Sequence, residues 1–194
     1  WQNFAVTGRY ALISVIIQTV IGFGLALLLR SKFKGSGIIT TLILVPMMLS
    51  PIVVANFWKL IYNPSYGIFN YLLGYTNINT SPEWLGEPTR AMWAIIIVDV
   101  WMWSPFVMLL CLAGLSAILE YLYEAASIDR ASAWFQFRRI TLPQVMPLLL
   151  IAVLFRSIEA FKQFDLVKGL TGGGPGDATE TVSIRLFQLA FQGQ

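Results

Sequence analysis

The sequence predicts an all-α protein, a polytopic bundle of membrane-spanning helices. Composition is the first reason: 57% of the residues are apolar and 12% charged, with a mean hydropathy of +0.69, whereas a soluble domain carries about 25% charged residues. Runs of apolar residues near the length of about 20 that a spanning helix needs are the second. Connecting segments that alternate in charge are the third. The net charge of +3 arises from thirteen Lys and Arg scattered along the edges of the runs, so they read as topology signals and do not form a nucleic-acid-binding stripe. A single cysteine, Cys111, sits inside an apolar run, and histidine is absent. An internal disulfide is thereby excluded, and the commonest general base and metal ligand is missing.

The first run covers about 10–30 and is interrupted by Ser14, Gln18, Thr19 and two glycines. With no short basic leader and no small-residue cleavage site before it, it is expected to be a spanning helix and not a signal peptide. The second, 38–62, carries Pro46 and Pro51 and is expected to be one kinked span. The third, 91–114, contains Asp99, and the fourth, 143–164, begins at Pro143, a residue suited to a helix first turn. A fifth, 181–194, is partial.

Arg30, Lys32 and Lys34 crowd the first connection, and Arg130, Arg138 and Arg139 the segment 115–142. Between them, 63–90 holds Glu83 and Glu87 against Arg90, while 165–180 holds Lys168 against Asp165, Asp177 and Glu180. The excess of basic residues on cytoplasmic loops puts 115–142 inside and the other two loops outside.

Within 115–142, Leu115, Ile118, Leu119, Leu122 and Ala126 recur at helical spacing, and Glu120 and Glu124 share another face. Asp129 or Ser132 can cap a second short helix bearing Trp134, Phe135 and Phe137. A helix-turn-helix elbow is expected. Its aromatic rings either dock on a partner or pack on the chain's own helices.

The elbow spells Glu124, Ala125, Ala126, then Asp129, Arg130 and Ala131, then Ile140, Thr141, Leu142 and Pro143. This closely resembles the cytoplasmic EAA loop of binding-protein-dependent ABC importer permeases. Further elements are similar in order: Asn63, Pro64, Ser65, Tyr66, Gly67 and Asn70; Trp103, Ser104, Pro105 and Phe106; Phe161 to Asp165; and Leu170 to Pro175 with Ala178 to Thr181. They resemble the carbohydrate, MalF-like and UgpA-like, branch. The resemblance implies the type I importer transmembrane fold, incomplete at both ends, in the bacterial cytoplasmic (inner) membrane. It implies a sugar or polyol substrate, a second permease subunit, two cytoplasmic ATPase subunits and an extracytoplasmic solute-binding protein. ATP and Mg would be held by the ATPases, and this chain would bind no cofactor or metal and have no catalytic residue. By the family pattern, Glu124 makes a charged contact with the ATPase, and Ala125 and Ala126 allow close approach. The family usually has Gly where this chain has Arg130. If that Gly supplies a left-handed backbone, Arg costs on the order of 1 kcal/mol.

Intramembrane polar residues supply the candidate substrate path. At about 1.5 Å per residue, Arg156 lies about 20 Å above the elbow, and Glu159 and Asp99 about 24 Å. Asp99 and Trp103 share a helical face, and Arg156, Glu159 and Gln163 form a stripe. These residues either line a polyol site, with Trp103 as an apolar plate, or pair structurally, Arg156 neutralising Asp99 or Glu159. Arg156 and Lys162 keep a phosphorylated substrate such as glycerol phosphate open. The glycine-rich stretch 169–176 lacks the Gly-Lys-Ser/Thr ending of a phosphate loop. Gly172, Gly173, Gly174 and Pro175 are instead expected in a tight external turn facing the binding protein. A secondary transporter or channel would need no such elbow and should show an internal repeat, which is not found. A membrane enzyme using Asp99 and Glu159 lacks any accompanying nucleophile or metal spacing.

Overall fold

The computed structural model describes residues 1–31, 33–74, 82–191 and 193. Lys32 among the topology cations, residues 75–81 of the first external loop, and positions 192 and 194 of the fifth run lie outside the described residues. Among the described residues the structure is helical throughout.

α1 (Gln2–Leu29) is a 28-residue helix that begins eight positions before the run that predicted it. Its length of about 42 Å exceeds the 30 Å hydrocarbon core. The polar residues Thr7, Ser14 and Gln18 lie on its buried face together with Tyr10, Ala11, Gly22 and Ala26. Turning polar groups inward and apolar ones outward suits a helix whose solvent is lipid.

The second run is broken, not kinked. α2 (Ser36–Met48) and α3 (Pro51–Ile61) meet at 99°. Pro51 holds the first turn of α3, and the residues before it, Leu49 and Ser50, are extended with ψ of 149° and 134°. Proline disfavours the α conformation in its predecessor, which converts the expected kink into a corner. At about 20 and 16 Å, neither half crosses the bilayer alone.

α4 (Ile68–Gly74) adds a helix to the predicted external loop. The motif around it has a structural account. Asn63 Oδ1 accepts from the Ser65 and Tyr66 amides at 2.9 and 3.3 Å, and a methyl group on Gly67 would collide with the carbonyl oxygens of Asn63 and Ile61. Asn70 donates to the Pro64 and Pro82 carbonyls and accepts from Trp84 Nε1 at 2.8 Å. Trp58, Tyr62, Phe69 and Trp84 complete an aromatic cluster with ring separations of 5.4–6.0 Å.

α5 (Pro88–Ser116) is the central helix, packed against α1 and buried along much of its length. Gly22 permits that packing: a Cβ there would lie 2.7 Å from the Ser104 carbonyl oxygen and the Val107 Cβ. α6 (Tyr121–Ile128) and α7 (Ala133–Gln136) follow, then a π-helical turn over Phe137–Thr141 that leads without a break into α8 (Leu142–Lys162). The elbow's second helix is therefore continuous with α8 and long and apolar enough with it to span, not a separate element. Pro143 explains the widened turn. It lacks an N–H and its ring clashes with the carbonyl four residues back, and the Leu142 amide reaches Phe137 O in place of the usual i→i−4 partner.

α9 (Asp165–Leu170) packs on α3, where a Cβ on Gly169 would lie 2.5 Å from the Ala55 methyl. α10 (Val182–Phe191) ends the described helices. The core divides in two. An outer cluster joins Tyr10, Val54, Ile95, Met102 and Leu166, and an inner one Ala26, Val107, Cys111, Leu115 and Val145. Leu12, Leu28, Leu150 and Leu154 stay exposed on the helix exteriors, an apolar surface that lipid or partner helices would cover.

Candidate functional site

Asp99 of α5, Arg156 of α8 and Gln18 of α1 meet between the three longest helices. Arg156 Nη2 lies 3.3 Å from Asp99 Oδ1. Gln18 bridges the pair, its Nε2 donating to Asp99 Oδ2 at 2.7 Å and its Oε1 accepting from Arg156 Nε at 2.8 Å. The guanidinium also rests over the Trp103 ring, 4.7 Å from its centroid. Arg156 is 3% exposed, and Asp99 and Gln18 are fully buried.

The cluster follows from the helix faces. The buried stripe of α8 is Val145, Ala152, Arg156 and Ala160, so Arg156 is the one charge carried inward. On the opposing helices Asp99 and Gln18 supply its hydrogen-bond partners. In a low-dielectric interior such a charge must be paired and hydrogen-bonded.

The predicted stripe of Arg156, Glu159 and Gln163 is not one surface. Glu159 lies off the buried stripe, with its side chain 54% exposed, and accepts from Lys162 Nζ at 2.8 Å. Gln163 caps α8 beyond its last turn, with ψ of 119°. Of the two readings left open by the sequence, the geometry of Asp99 and Arg156 matches structural pairing. A cavity of about 690 Å³ lies elsewhere, between α1, α2 and α5, walled by apolar side chains such as Ile17, Leu42, Trp93, Val100 and Trp101. It offers few of the hydrogen-bonding groups that a polyol requires.

At the elbow end of the bundle, α6 closes in a left-handed turn. Arg130 has φ of 54°, its amide donates to Ser127 O at 3.1 Å, and the Ala131 amide donates to Ala126 O at 2.9 Å. This is the Schellman pattern. Arg130 thus keeps the left-handed geometry that glycine would adopt more easily. Asp129 is the C-cap of α6, and Ser132 caps α7, its Oγ accepting from the Phe135 amide at 3.3 Å. Glu124 and Ala125 face solvent, Ala126 and Ala131 are half-buried, and Leu142 and Pro143 lie in the first turn of α8.

The three aromatics of the elbow divide between the two expected fates. Phe137 packs inward, 6.2 Å from Phe23 and stacked 5.6 Å from Trp134. Trp134 and Phe135 remain 68% and 52% exposed, and Ile128 82%. An elbow that exposes Glu124 together with Ile128, Trp134 and Phe135 is suited to a protein surface.

The glycine-rich turn is a folded unit. Gly172, Gly173 and Gly176 have positive φ, and the Gly174–Pro175 bond is cis. Thr179 Oγ1 lies 2.7 Å from Thr171 Oγ1 and donates to Gly174 O at 2.6 Å. Gly173 is buried while Gly172, Gly174 and Pro175 are half-buried, so Gly176 and Asp177 form its exposed tip. The turn is tied to α1: Asn3 donates to Glu180 O and Thr7 Oγ1 accepts from the Val182 amide.

Gln18, and Arg30, whose guanidinium carbon lies 4.1 Å from the centroid of the Tyr123 ring, were not singled out from sequence as site residues. Gln18 was visible as a polar residue in an apolar run, but nothing local shows which distant charge it serves. Arg30 reads as a topology cation until its neighbour is known.

Comparison with known proteins follows this geometry. A family model described as "Binding-protein-dependent transport system inner membrane component" matches residues 18–193. The trehalose/maltose transport system permease protein MalF of Thermococcus litoralis is 43% identical over 187 residues, covering 96% of this chain and 63% of that protein. The trehalose transport system permease protein SugA of Mycobacterium tuberculosis is 35% identical over 193 residues, covering 100% and 61%. The chain therefore spans less than two thirds of the length of these relatives. A crystal structure of a bacterial alginate ABC transporter, in complex with an alginate pentasaccharide-bound periplasmic protein, includes a chain that superposes with a TM-score of 0.88 at 23% identity. The match covers 99% of this chain and 67% of that one, and it shows the fold.

Proposed function

Because the chain belongs to the family of binding-protein-dependent transport system inner membrane components, we propose that it is a permease subunit of an ATP-driven importer, carrying a sugar across the cytoplasmic (inner) membrane. The observation that carries this is the family match over residues 18–193, which includes the elbow, all of α5 and α8, and the second half of α1 from Gln18. The elbow would seat on a cytoplasmic ATPase through Glu124, Trp134 and Phe135. Closure of two such ATPases around ATP and Mg would then move α6 and α8. A second permease subunit would cover the exposed apolar faces and complete the path, and a solute-binding protein would deliver substrate from outside, meeting the tip at Gly176 and Asp177. Hydrolysis would belong to the ATPases.

The substrate class rests on the relatives named for trehalose and maltose, which favours a neutral disaccharide over glycerol or glycerol phosphate. The side chains support that choice. Arg156 is engaged by Asp99 and Gln18, and Lys162 by Glu159, so neither cation stands ready for a phosphate. Trp103, Glu159 and Gln163 remain candidates for the path.

The test is co-purification from a membrane in which the chain is co-expressed with candidate permease, ATPase and solute-binding subunits, followed by uptake into ATP-loaded proteoliposomes with labelled trehalose, maltose, glycerol and glycerol phosphate. Retention of the ATPases and ATP-dependent disaccharide uptake are expected. A chain that purifies without ATPases and moves solute without ATP would instead be a secondary transporter or channel.

A further inference from the structure

The inner faces of the elbow and of α1 converge on one side chain that the EAA spelling does not include. Tyr123 immediately precedes Glu124 on α6. The guanidinium carbon of Arg30, at the C-cap of α1, lies 4.1 Å from the centroid of its ring. Its hydroxyl lies 2.8 Å from Thr141 Oγ1, in the last position of the π-helical turn. Thr141 is 3% exposed. Tyr123 also packs with Leu122 against the inner core cluster that contains Ala26 and Leu29 of α1 and Val145 of α8. One residue thus touches the end of α1, the entry to α8 and the helix that carries Glu124.

We propose that Tyr123 is a positioning residue that fastens α6 to α1 and α8, so that displacement of the elbow is delivered to both helices together. This rests on the elbow being the coupling element. The physical basis is directional. The Ala117–Glu120 connection from α5 and the Arg130 turn to α7 attach the chain of α6 at its ends, and side-chain contacts fix its inner face. A cation held over an aromatic face and a hydroxyl pair resist both tilt and separation. α1 then carries motion onward, because Gln18 lies twelve residues from Arg30 on the same unbroken helix, about 18 Å away. Gln18 in turn holds Asp99 and Arg156.

The test uses the assembled importer in proteoliposomes and reads solute molecules transported per ATP hydrolysed, with co-purified ATPase as the measure of assembly. Tyr123→Leu removes both contacts and should lower that ratio about five-fold. Tyr123→Phe keeps the ring and should fall part-way. Arg30 is exposed, so Arg30→Gln should assemble and still lower the ratio, while Arg30→Lys restores a cation over the ring and should recover it. An unchanged ratio in assembled Tyr123→Leu and Arg30→Gln complexes would overturn the proposal alone. So would a loss that tracks assembly and is not recovered by Arg30→Lys. Failure of the unsubstituted chain to retain ATPases would overturn the coupling reading beneath it.

Discussion

Arg156 and Asp99 face each other at 3.3 Å with side chains 3% and 0% exposed. Gln18 links them a second time, donating to Asp99 Oδ2 and accepting from Arg156 Nε. A buried charge left without its partner is destabilising by about 3–5 kcal/mol. Asp99→Asn and Arg156→Gln should each reduce folded protein in the membrane sharply. The double variant should recover part of the loss, because neither charge is then stranded. Thermal unfolding in detergent, read for all three variants, checks this; additive losses would show that the pair does not interact.

Gly22 of α1 packs closely against Val107 of α5, where a Cβ at 22 would lie only 2.7 Å from the Val107 Cβ. Gly22→Leu should force the helices apart and destabilise by about 1–3 kcal/mol. The same substitution at Gly24, where no neighbouring atom lies within 4 Å, is the control and should be tolerated. Equal melting temperatures for the two variants would contradict the packing described.

Arg130 has φ of 54°, a conformation that costs a non-glycine residue about 1 kcal/mol. Arg130→Gly should raise stability by about that amount, and Arg130→Val, with a β-branched side chain, should lower it. Calorimetry or a fluorescence melt of the purified complex distinguishes the order Gly, Arg, Val from the reverse.

Glu159 and Lys162 form an exposed pair, and such pairs contribute about 0.2–1 kcal/mol. Glu159→Gln should therefore leave protein level unchanged. Any change it brings would appear in the ranking of competing sugars, and a fall in protein level without such a change would assign Glu159 to structure.

Much of the fold was legible because lipid imposes simple rules. Apolar length located α1, α5 and α8. The corner at Leu49 and Ser50 was not legible, since Pro46 and Pro51 show where a helix weakens but not how far it bends. The π-helical turn escaped for a related reason: Pro143 was correctly placed at the start of a helix, but its sequence does not reveal that the preceding turn continues from α7. The elbow's residues were readable as a local pattern. The partnership of Gln18 with Asp99 and Arg156 was not, because it joins residues 81 and 138 positions apart, and only the packing of three helices defines it.

Glu124 stands exposed on α6, and Ile128, Trp134 and Phe135 are exposed on the same elbow; coupling through the elbow is the central claim. Reversing its charge with Glu124→Lys in the reconstituted importer, and measuring ATP hydrolysis and disaccharide uptake together, tests the claim most directly. The predicted result is a chain that still inserts in the membrane while uptake per ATP collapses. Uptake and ATPase binding equal to those of the unsubstituted complex would contradict it.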